Sequence, residues 1–180
     1  MIKAIQLSPG VELRLLARDD AGLLASAYVK NRDHLSPWDP ERSEGFFTTP
    51  WQEGITAQQL AGHGAGASLP LVLATEGAIV GRITLSGIVR GAFESASLGY
   101  WIDQDFTGRQ LASAAVDRVV DIARDDLGLH RLQAETLLHN PASQRVLQKA
   151  GFECIGLASR YLRIAGEWQD HKLFQKILHD

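Results

Sequence analysis

Alternating and helical patterns of apolar residues divide the first part of the chain into a strand and two helices. VELRLLA at 11–17 alternates as a half-buried strand does, and Asp19 is placed to cap a helix in the residues that follow. A second helix is predicted from Thr49-Pro50, because threonine is a frequent cap and proline suits a first turn. Residues 31–49, between the two helices, contain two prolines, several charges and no clear period. This composition indicates a long loop or short helical pieces, of the kind that often binds ligands.

The rest of the chain predicts six strands and two helices. The strands are LPLVLAT, AIVGRITLSGIV, ASLGYWID, RLQAETLL, CIGLASRYLRI and WQDHKLFQKIL. An amphipathic helix is predicted over 108–127, and a short helix runs from Asn140 to a C-cap at Gly151. The strand–helix–strand unit over 96–138 forms a crossover, which places its two strands in parallel. The order of elements therefore predicts an α+β, or mixed α/β, fold around one sheet of about seven strands.

Composition bounds the class of protein and its partners. The chain has 180 residues, 45% of them hydrophobic and 22% charged, which fits one globular domain over 1–180. A formal charge of -3 gives no argument for nucleic acid as the main partner. The first residues lack the apolar segment of a signal peptide, and no apolar stretch is long enough to span a bilayer. We therefore expect a cytoplasmic protein that binds neither nucleic acid nor membrane.

Cysteine and histidine usage gives no sign of a metal centre. Cys154 is the only cysteine, which excludes an intramolecular disulfide, and the six histidines show no metal-binding spacing. We expect no metal, and we expect Cys154 to be an inert, buried side chain inside a strand.

Two segments carry candidate chemistry. DFTGRQLA at 105–112 places a glycine where a helix begins, with no acidic residue in the first turn, as a pyrophosphate held on backbone amides requires. Gly108 also fits a simple strand-to-helix turn. HNPASQRVLQKAGF at 139–152 begins with Asn140-Pro141, the usual start of a helix, and Ser143 follows in the first turn.

Taken together, the segments resemble the GNAT superfamily of acetyl-CoA-dependent N-acetyltransferases, and within it the RimJ/RimL-like ribosomal-protein N-acetyltransferases. The resemblance extends from about Pro70 to the C-terminus, and more loosely to NRDHLSPWDP and the opening strand. It is carried by LGYWI, GRQLASAAVDRVVDIA, LGLHRLQAETLLHNPASQRVLQKAGF and RYLRIAGEWQDH. The resemblance implies a GNAT-like fold with a mostly antiparallel sheet and a splayed parallel strand pair at the cofactor cleft. It also allows a homodimer.

The resemblance implies acetyl-CoA as the cosubstrate and assigns a role to each matching position. The pantetheine arm lies along Leu98 to Ile102, the pyrophosphate on the amides of Gly108 to Ala112, and the thioester near Ser143. The implied cofactor-binding residues are Tyr100, Trp101, Ile102, Gly108, Arg109, Gln110, Leu111, Ala112, Asn140 and Ser143.

The chain departs from the family pattern at several positions. Asp105 and Gln110 stand where relatives usually have glutamine or arginine and a small residue, and Asp105 would repel a phosphate unless it points away. Leu147 replaces the tyrosine that many relatives use to protonate the departing thiolate, so that role passes to Ser143. Ile155 stands where RimJ/RimL-like enzymes often have a glutamate before glycine, so that base is absent.

Several residues are candidates for the base and the acceptor site. Glu94 beside the central strands and Glu135 before Asn140 are candidate bases, and His34 and Asp39 in the long loop are further ones. We predict that His34, Trp38 and Asp39 contact the substrate.

Three functions remain open from the sequence. The first is acetylation of a protein N-terminus, whose amine has an ordinary pKa of about 7.7–8.0 and so needs only a weak base. The second is acetylation of a small amine, such as an amino acid or an aminoglycoside. The third is an acyl-CoA-binding module without catalysis.

Overall fold

The computed structural model describes residues 3–179, in which eight strands form a single sheet. The strands are β1 Ile5–Ser8, β2 Val11–Leu15, β3 Leu69–Thr75, β4 Ala78–Val89, β5 Ser95–Ile102, β6 Arg131–Leu137, β7 Glu153–Ile164 and β8 Glu167–Ile177. The helices are α1 Ala21–Lys30, α2 Arg32–Leu35, α3 Thr49–Gly64, α4 Leu111–Asp121 and α5 Pro141–Lys149, and a π-helical turn at Ile122–Asp126 continues α4.

The strands are ordered β1-β2-β3-β4-β5-β6-β8-β7 across the sheet. All neighbours pair antiparallel except β5 and β6, which are parallel because α4 carries the chain back to the start of the next strand. This pairing confirms the predicted mixed α/β class, the mostly antiparallel sheet and the parallel pair.

The parallel pair is short, and this positions the site. β5 and β6 are paired only from Ser95–Arg131 to Ser97–Gln133. Beyond these residues β5 continues along β4 as far as Ile102, while β6 continues along β8 to Leu137. The two strands therefore separate, and one edge of β5 lacks a neighbouring strand.

Apolar side chains on the two faces of the sheet form two cores. In β3, Leu71 and Leu73 belong to the larger core, into which α4 and α5 pack, and Val72 belongs to the smaller core beneath α1. A strand buried on both faces reads as a continuous apolar run, which is what LPLVLAT shows.

The sequence missed one strand and placed two helix caps wrongly. β1 was not predicted, because a four-residue edge strand carries too short a pattern, so the sheet has eight strands instead of about seven. Asp19 does not cap α1; its neighbour Asp20 is buried, accepts from the Ala17 N–H at 2.7 Å and pairs with Arg14. Thr48, without a side-chain capping bond, precedes α3, which begins at Thr49.

Two other expectations also need correction. Cys154 lies on β7 as predicted, but β7 is the last strand of the sheet and the thiol is exposed instead of buried. The helix predicted over 108–127 begins only at Leu111, after two residues in the left-handed conformation. Within residues 3–179, no helix has both the length and the apolar character needed to cross a membrane.

Candidate active site

A cleft of about 750 Å³ opens where β5 and β6 separate. Residues 98–102 of β5 and 134–137 of β6 form two of its walls. The segment before α4, the helix α5 and the loop around α2 also line it. The cleft thus brings together both candidate motifs and the long loop, which are far apart in the sequence.

The turn before α4 has the backbone of an anion site. Gly108 and Gln110 both have positive φ values, 75° and 59°, and the helix starts directly afterwards. The first turn has no acidic residue and no side-chain cap among the described residues. Because first-turn N–H groups have no partner inside a helix, they are left for an external anion.

The basic side chains that line the cleft are not the one that the sequence predicted. Arg109 stacks on the Phe106 ring at 4.6 Å and is not among the residues that line the cleft. Arg145 and Lys149, one turn apart on α5, do line it and were missed. Their spacing of four residues was a signal that both face the same side of a helix.

Asp105 is turned toward a lysine. Lys30 Nζ lies 2.8 Å from both Asp105 Oδ2 and Asp103 Oδ1, and these bonds raise the pKa of Lys30. Asp103 is 1% exposed. Burial alone would raise the pKa of Asp103, but hydrogen bonds from Asn31, Lys30 and the Asp105 N–H lower it. The carboxylate that seemed unfavourable for phosphate binding is thus paired with a cation.

Asn31 attaches the same loop to α1. Its amide donates to Asp103 Oδ2 at 2.9 Å, and its Oδ1 accepts from the Gln104 N–H at 2.8 Å. Asn31 is fully buried. Since buried amides are costly to leave unpaired, these bonds fix the position of the loop after β5.

Ser143 and Tyr100 form a hydroxyl pair at the centre of the cleft. Asn140 Oδ1 accepts from the Ser143 N–H at 3.1 Å, which confirms the predicted cap and sets the start of α5. The Tyr100 hydroxyl lies 2.8 Å from Ser143 Oγ, and burial raises the pKa of Tyr100 to about 12. The sequence analysis assigned Tyr100 to cofactor binding and did not predict its contact with Ser143. Strand alternation places Tyr100 on the same face of β5 as Leu98, and this pattern could have indicated that its side chain faces Ser143.

Glu135 lies in the wall of the cleft on β6. Burial raises its pKa, and no ion pair neutralises it among residues 3–179. The pKa of Tyr161 is also raised, first by burial and then by the charge of Glu135. His171 lines the cleft near both, with its ring 5.6 Å from that of Tyr161.

The structure does not bring Glu94 to the cleft. Its carbonyl accepts from the N–H groups of His130 and Arg131 at 2.9 and 3.1 Å, where β5 begins. At about 3.3 Å per residue, this end of β5 is roughly 20 Å from Tyr100. The prediction of Glu94 as a base therefore has no geometric support.

The three predicted substrate residues all line the cleft. His34 Nε2 is 3.2 Å from the Ile102 carbonyl oxygen, and the Trp38 ring is 5.5 Å from that of His139. Burial raises the pKa of Asp39 despite the nearby Arg42. Their contact with a substrate stays a prediction.

Other positions have contacts inside the protein, and the contact of Trp101 with a cofactor stays a prediction. Trp101 lines the cleft but donates through Nε1 to the Tyr28 hydroxyl at 3.3 Å. Leu147, which replaces the tyrosine of many relatives, is 1% exposed and carries no proton donor. The part of the chain from 3 to 179 contains no cluster of three or more metal-ligating side chains.

The chain belongs to the GNAT family: the acetyltransferase (GNAT) domain model matches residues 11–153. It is 34% identical over 163 residues to the [ribosomal protein uS5]-alanine N-acetyltransferase of Escherichia coli K12, covering 89% of this chain and 84% of that one. The two proteins are therefore related over most of their lengths.

Solved structures agree with this assignment. The ribosomal-protein-S5-alanine acetyltransferase of Vibrio fischeri superposes with a TM-score of 0.95 at 31% identity, over 99% of this chain and 98% of that one. Mycobacterium smegmatis RimJ, in complex with CoA-disulfide, gives 0.88 at 31% identity over 93% and 81%. The protein is thus an acetyltransferase of the RimJ/RimL-like type.

The half-buried carboxyl group of Glu135 predicts a pH-dependent stability. Its raised pKa means that the folded state holds this proton more tightly, so stability falls as the pH rises from about 4.3 through the raised value. Glu135→Gln removes the cost of ionisation and should raise the free energy of unfolding at pH 7, with the gain vanishing at pH 4. Urea denaturation from pH 4 to 8 measures both.

Glu76→Gln is the matched control, because Glu76 lies in the exposed turn between β3 and β4. It should change stability little at any pH. A Glu135→Gln variant that follows the wild-type pH profile would show that Glu135 ionises without a burial cost.

Proposed function

We propose that the protein is an acetyl-CoA-dependent N-acetyltransferase that acts on the N-terminal α-amino group of a polypeptide, such as a ribosomal protein, by direct attack in a ternary complex. One observation carries this proposal. The cleft joins an uncapped helix start at Leu111 to the Ser143 hydroxyl along the unpaired edge of β5. That is the arrangement needed to hold a phosphate group and a reactive thioester at once.

The residues of the cleft fit acetyl-CoA. The amides of Gly108 to Ala112 would bind the pyrophosphate, with Arg145 and Lys149 adding positive charge. The free edge of β5 can pair with the amide groups of the pantetheine arm as an added strand would. When bound, acetyl-CoA supplies the acetyl group as a thioester.

The hydroxyl pair suits proton donation to the leaving sulfur. With a pKa of about 12, Tyr100 stays protonated at neutral pH and can donate its hydrogen to Ser143 Oγ. The Ser143 hydroxyl can then donate its own proton to the leaving sulfur, and the hydrogen bond from Tyr100 stabilises the negative charge that develops on Ser143 Oγ. Leu147 lacks a proton donor, so Ser143 takes the role that tyrosine has in many relatives.

Glu135 is the best-placed base. An α-amine with a pKa of about 7.7–8.0 needs only modest help to lose its proton near neutral pH. Burial makes Glu135 a stronger base than an ordinary glutamate, and Asp39 and His34 line the same cleft. Similarity to enzymes named for ribosomal proteins supports a polypeptide acceptor in the cytoplasm.

The whole chain is proposed to act as one acetyltransferase domain, since a single sheet runs from β1 to β8. A homodimer stays a prediction, supported by the exposed apolar side chains of Ile155, Leu157 and Leu162 on the edge strand β7.

A panel of amines tests the acceptor. We expect CoA release, followed with a thiol reagent, to be fastest with peptides that have a free N-terminal alanine or serine and to stop when that amine is blocked. Amino acids and aminoglycosides serve as the small-amine arm. Preference for them would move the function to small-molecule acetylation, and acetyl-CoA binding without release would indicate a binding module.

Ser143→Ala should lower kcat by about 100-fold while the KM for acetyl-CoA changes by less than roughly threefold, because proton donation contributes mainly to the chemical step. Tyr100→Phe should have a smaller effect, about tenfold, since it removes the hydroxyl that contacts Ser143 Oγ at 2.8 Å and the Ser143 carbonyl oxygen at 3.3 Å. Steady-state kinetics with the best peptide measures both.

Ser26→Ala is the control for this series, because Ser26 is exposed on α1 and its hydroxyl donates only to the Gly22 carbonyl. Unchanged turnover in Ser143→Ala would remove Ser143 from the mechanism.

The pairing of Lys30 with Asp105 should protect phosphate binding. Lys30→Met frees the carboxylate and should weaken CoA binding about three- to tenfold, whereas Asp105→Asn should leave it unchanged or tighter. Adding Asp105→Asn to Lys30→Met should recover most of the loss. Isothermal titration with CoA measures all three, with Lys3→Met as control. No recovery in the double variant would mean that Lys30 acts only through Asp103.

A further inference from the structure

Arg82 on β4 is a buried cation without a counter-charge. It is 8% exposed, and none of the ion pairs within residues 3–179 includes it. Burying a guanidinium group without an acidic partner is costly, so buried arginines are normally paired. The missing partner suggests that an anion from outside the chain completes the site.

The hydrogen bonds of Arg82 are incomplete. Its Nη2 donates to Gln59 Oε1, and its Nη1 lies 3.5 Å from the Tyr28 hydroxyl, at the limit of a hydrogen bond. That hydroxyl already accepts from Trp101 Nε1 at 3.3 Å. The buried Arg82 Nε has no partner. The guanidinium therefore keeps donor capacity that the protein does not use.

Arg82 lines a cavity of about 520 Å³ that shares no lining residue with the acetyl-transfer cleft. α3 contributes Gln52 and Gln59 to its wall, and the loop before α3 contributes Glu41 and Arg42. Gln52 is fully buried; its Nε2 donates to the Phe46 carbonyl at 2.7 Å, and its Oε1 has no partner. Two residues of the wall thus carry buried polar atoms without a partner, Arg82 Nε and Gln52 Oε1.

The charges around this cavity define the ligand class. Arg82 and Arg42 are the cations of its wall and Glu41 is the anion, but Arg42 is already paired with Asp39 at 3.5 Å, so Arg82 is the cation that lacks an ion-pair partner. A planar carboxylate matches the fork of a guanidinium and carries one negative charge, whereas a phosphate dianion would be repelled by Glu41.

We propose that Arg82, in the cavity that Gln52 and Arg42 also line, forms a binding site for a singly charged carboxylate, separate from the acetyl-transfer cleft. The carboxylate belongs either to a free small acid or to an acidic side chain of the polypeptide acceptor. The second source rests on the proposed function; the site itself does not.

Nuclear magnetic resonance of the arginine Nε–H groups tests the site directly, in the full chain and without acetyl-CoA. Sodium acetate and sodium benzoate are titrated at constant ionic strength, with sodium chloride and sodium phosphate in parallel. We expect the Arg82 signal, assigned from its loss in Arg82→Met, to shift and saturate with the carboxylates only. The wild-type titration stands even if Arg82→Met folds poorly, because Arg82→Lys then gives the assignment.

Arg82→Lys keeps the positive charge but lacks the planar pair of N–H donors that a carboxylate binds, so carboxylate affinity should fall at least about tenfold. Arg118→Met is the matched control, because Arg118 is exposed on α4, and it should bind acetate and benzoate as the wild type does. An Arg82 signal that acetate and benzoate leave unchanged, or that chloride shifts equally, would overturn the proposal and mean that water fills the cavity.

Pairs of acceptor peptides that differ by Asp against Asn near the N-terminus identify the source of the carboxylate. If the acidic peptide has the lower KM and Arg82→Lys abolishes this difference, the site binds a carboxylate of the acceptor. If the two peptides have equal KM values and acetate still binds, the site takes a free acid. Failure of all acetyl transfer would contradict the proposed function without changing the titration result.

Discussion

The limited pairing of β5 with β6 determines where everything else lies. Three residues on each strand are paired, and then β5 follows β4 while β6 follows β8. Had the pairing continued, side chains of α4 and α5 would have packed over a closed sheet. Because it stops at Ser97–Gln133, a free strand edge and two helix starts face one space.

The position of the loop after β5 depends on a second constraint, the buried Asp103. Asn31 and Lys30, neighbours at the end of α1, both bind its carboxylate. One helix end therefore both holds the loop that precedes Gly108 and neutralises Asp105. The departure from the usual family sequence at Asp105 is accompanied by a local charge partner, so it does not by itself argue against anion binding.

The sequence predicted the fold well because its strongest signals are local. Strand alternation, Gly108 before a helix and Asn140-Pro141 each follow from steric rules that act over a few residues. What it missed depends on contacts between distant segments: the Tyr100–Ser143 hydroxyl pair, the pairing of Lys30 with Asp105, and Glu94 at the far end of its strand. The exposure of Cys154 could not be predicted either, because an edge strand can have the same apolar composition as an inner strand.

The backbone hydrogen bond from the Ala165 N–H to the Asp39 carbonyl, 3.0 Å long, joins the β7–β8 turn to the loop around α2. Side chains from both segments line the cleft, among them Asp39 and Ile164. A single bond of this kind contributes only about 1 kcal/mol net. This bond alone therefore holds the two segments together only weakly, and the width of the cleft between them depends on how their side chains pack.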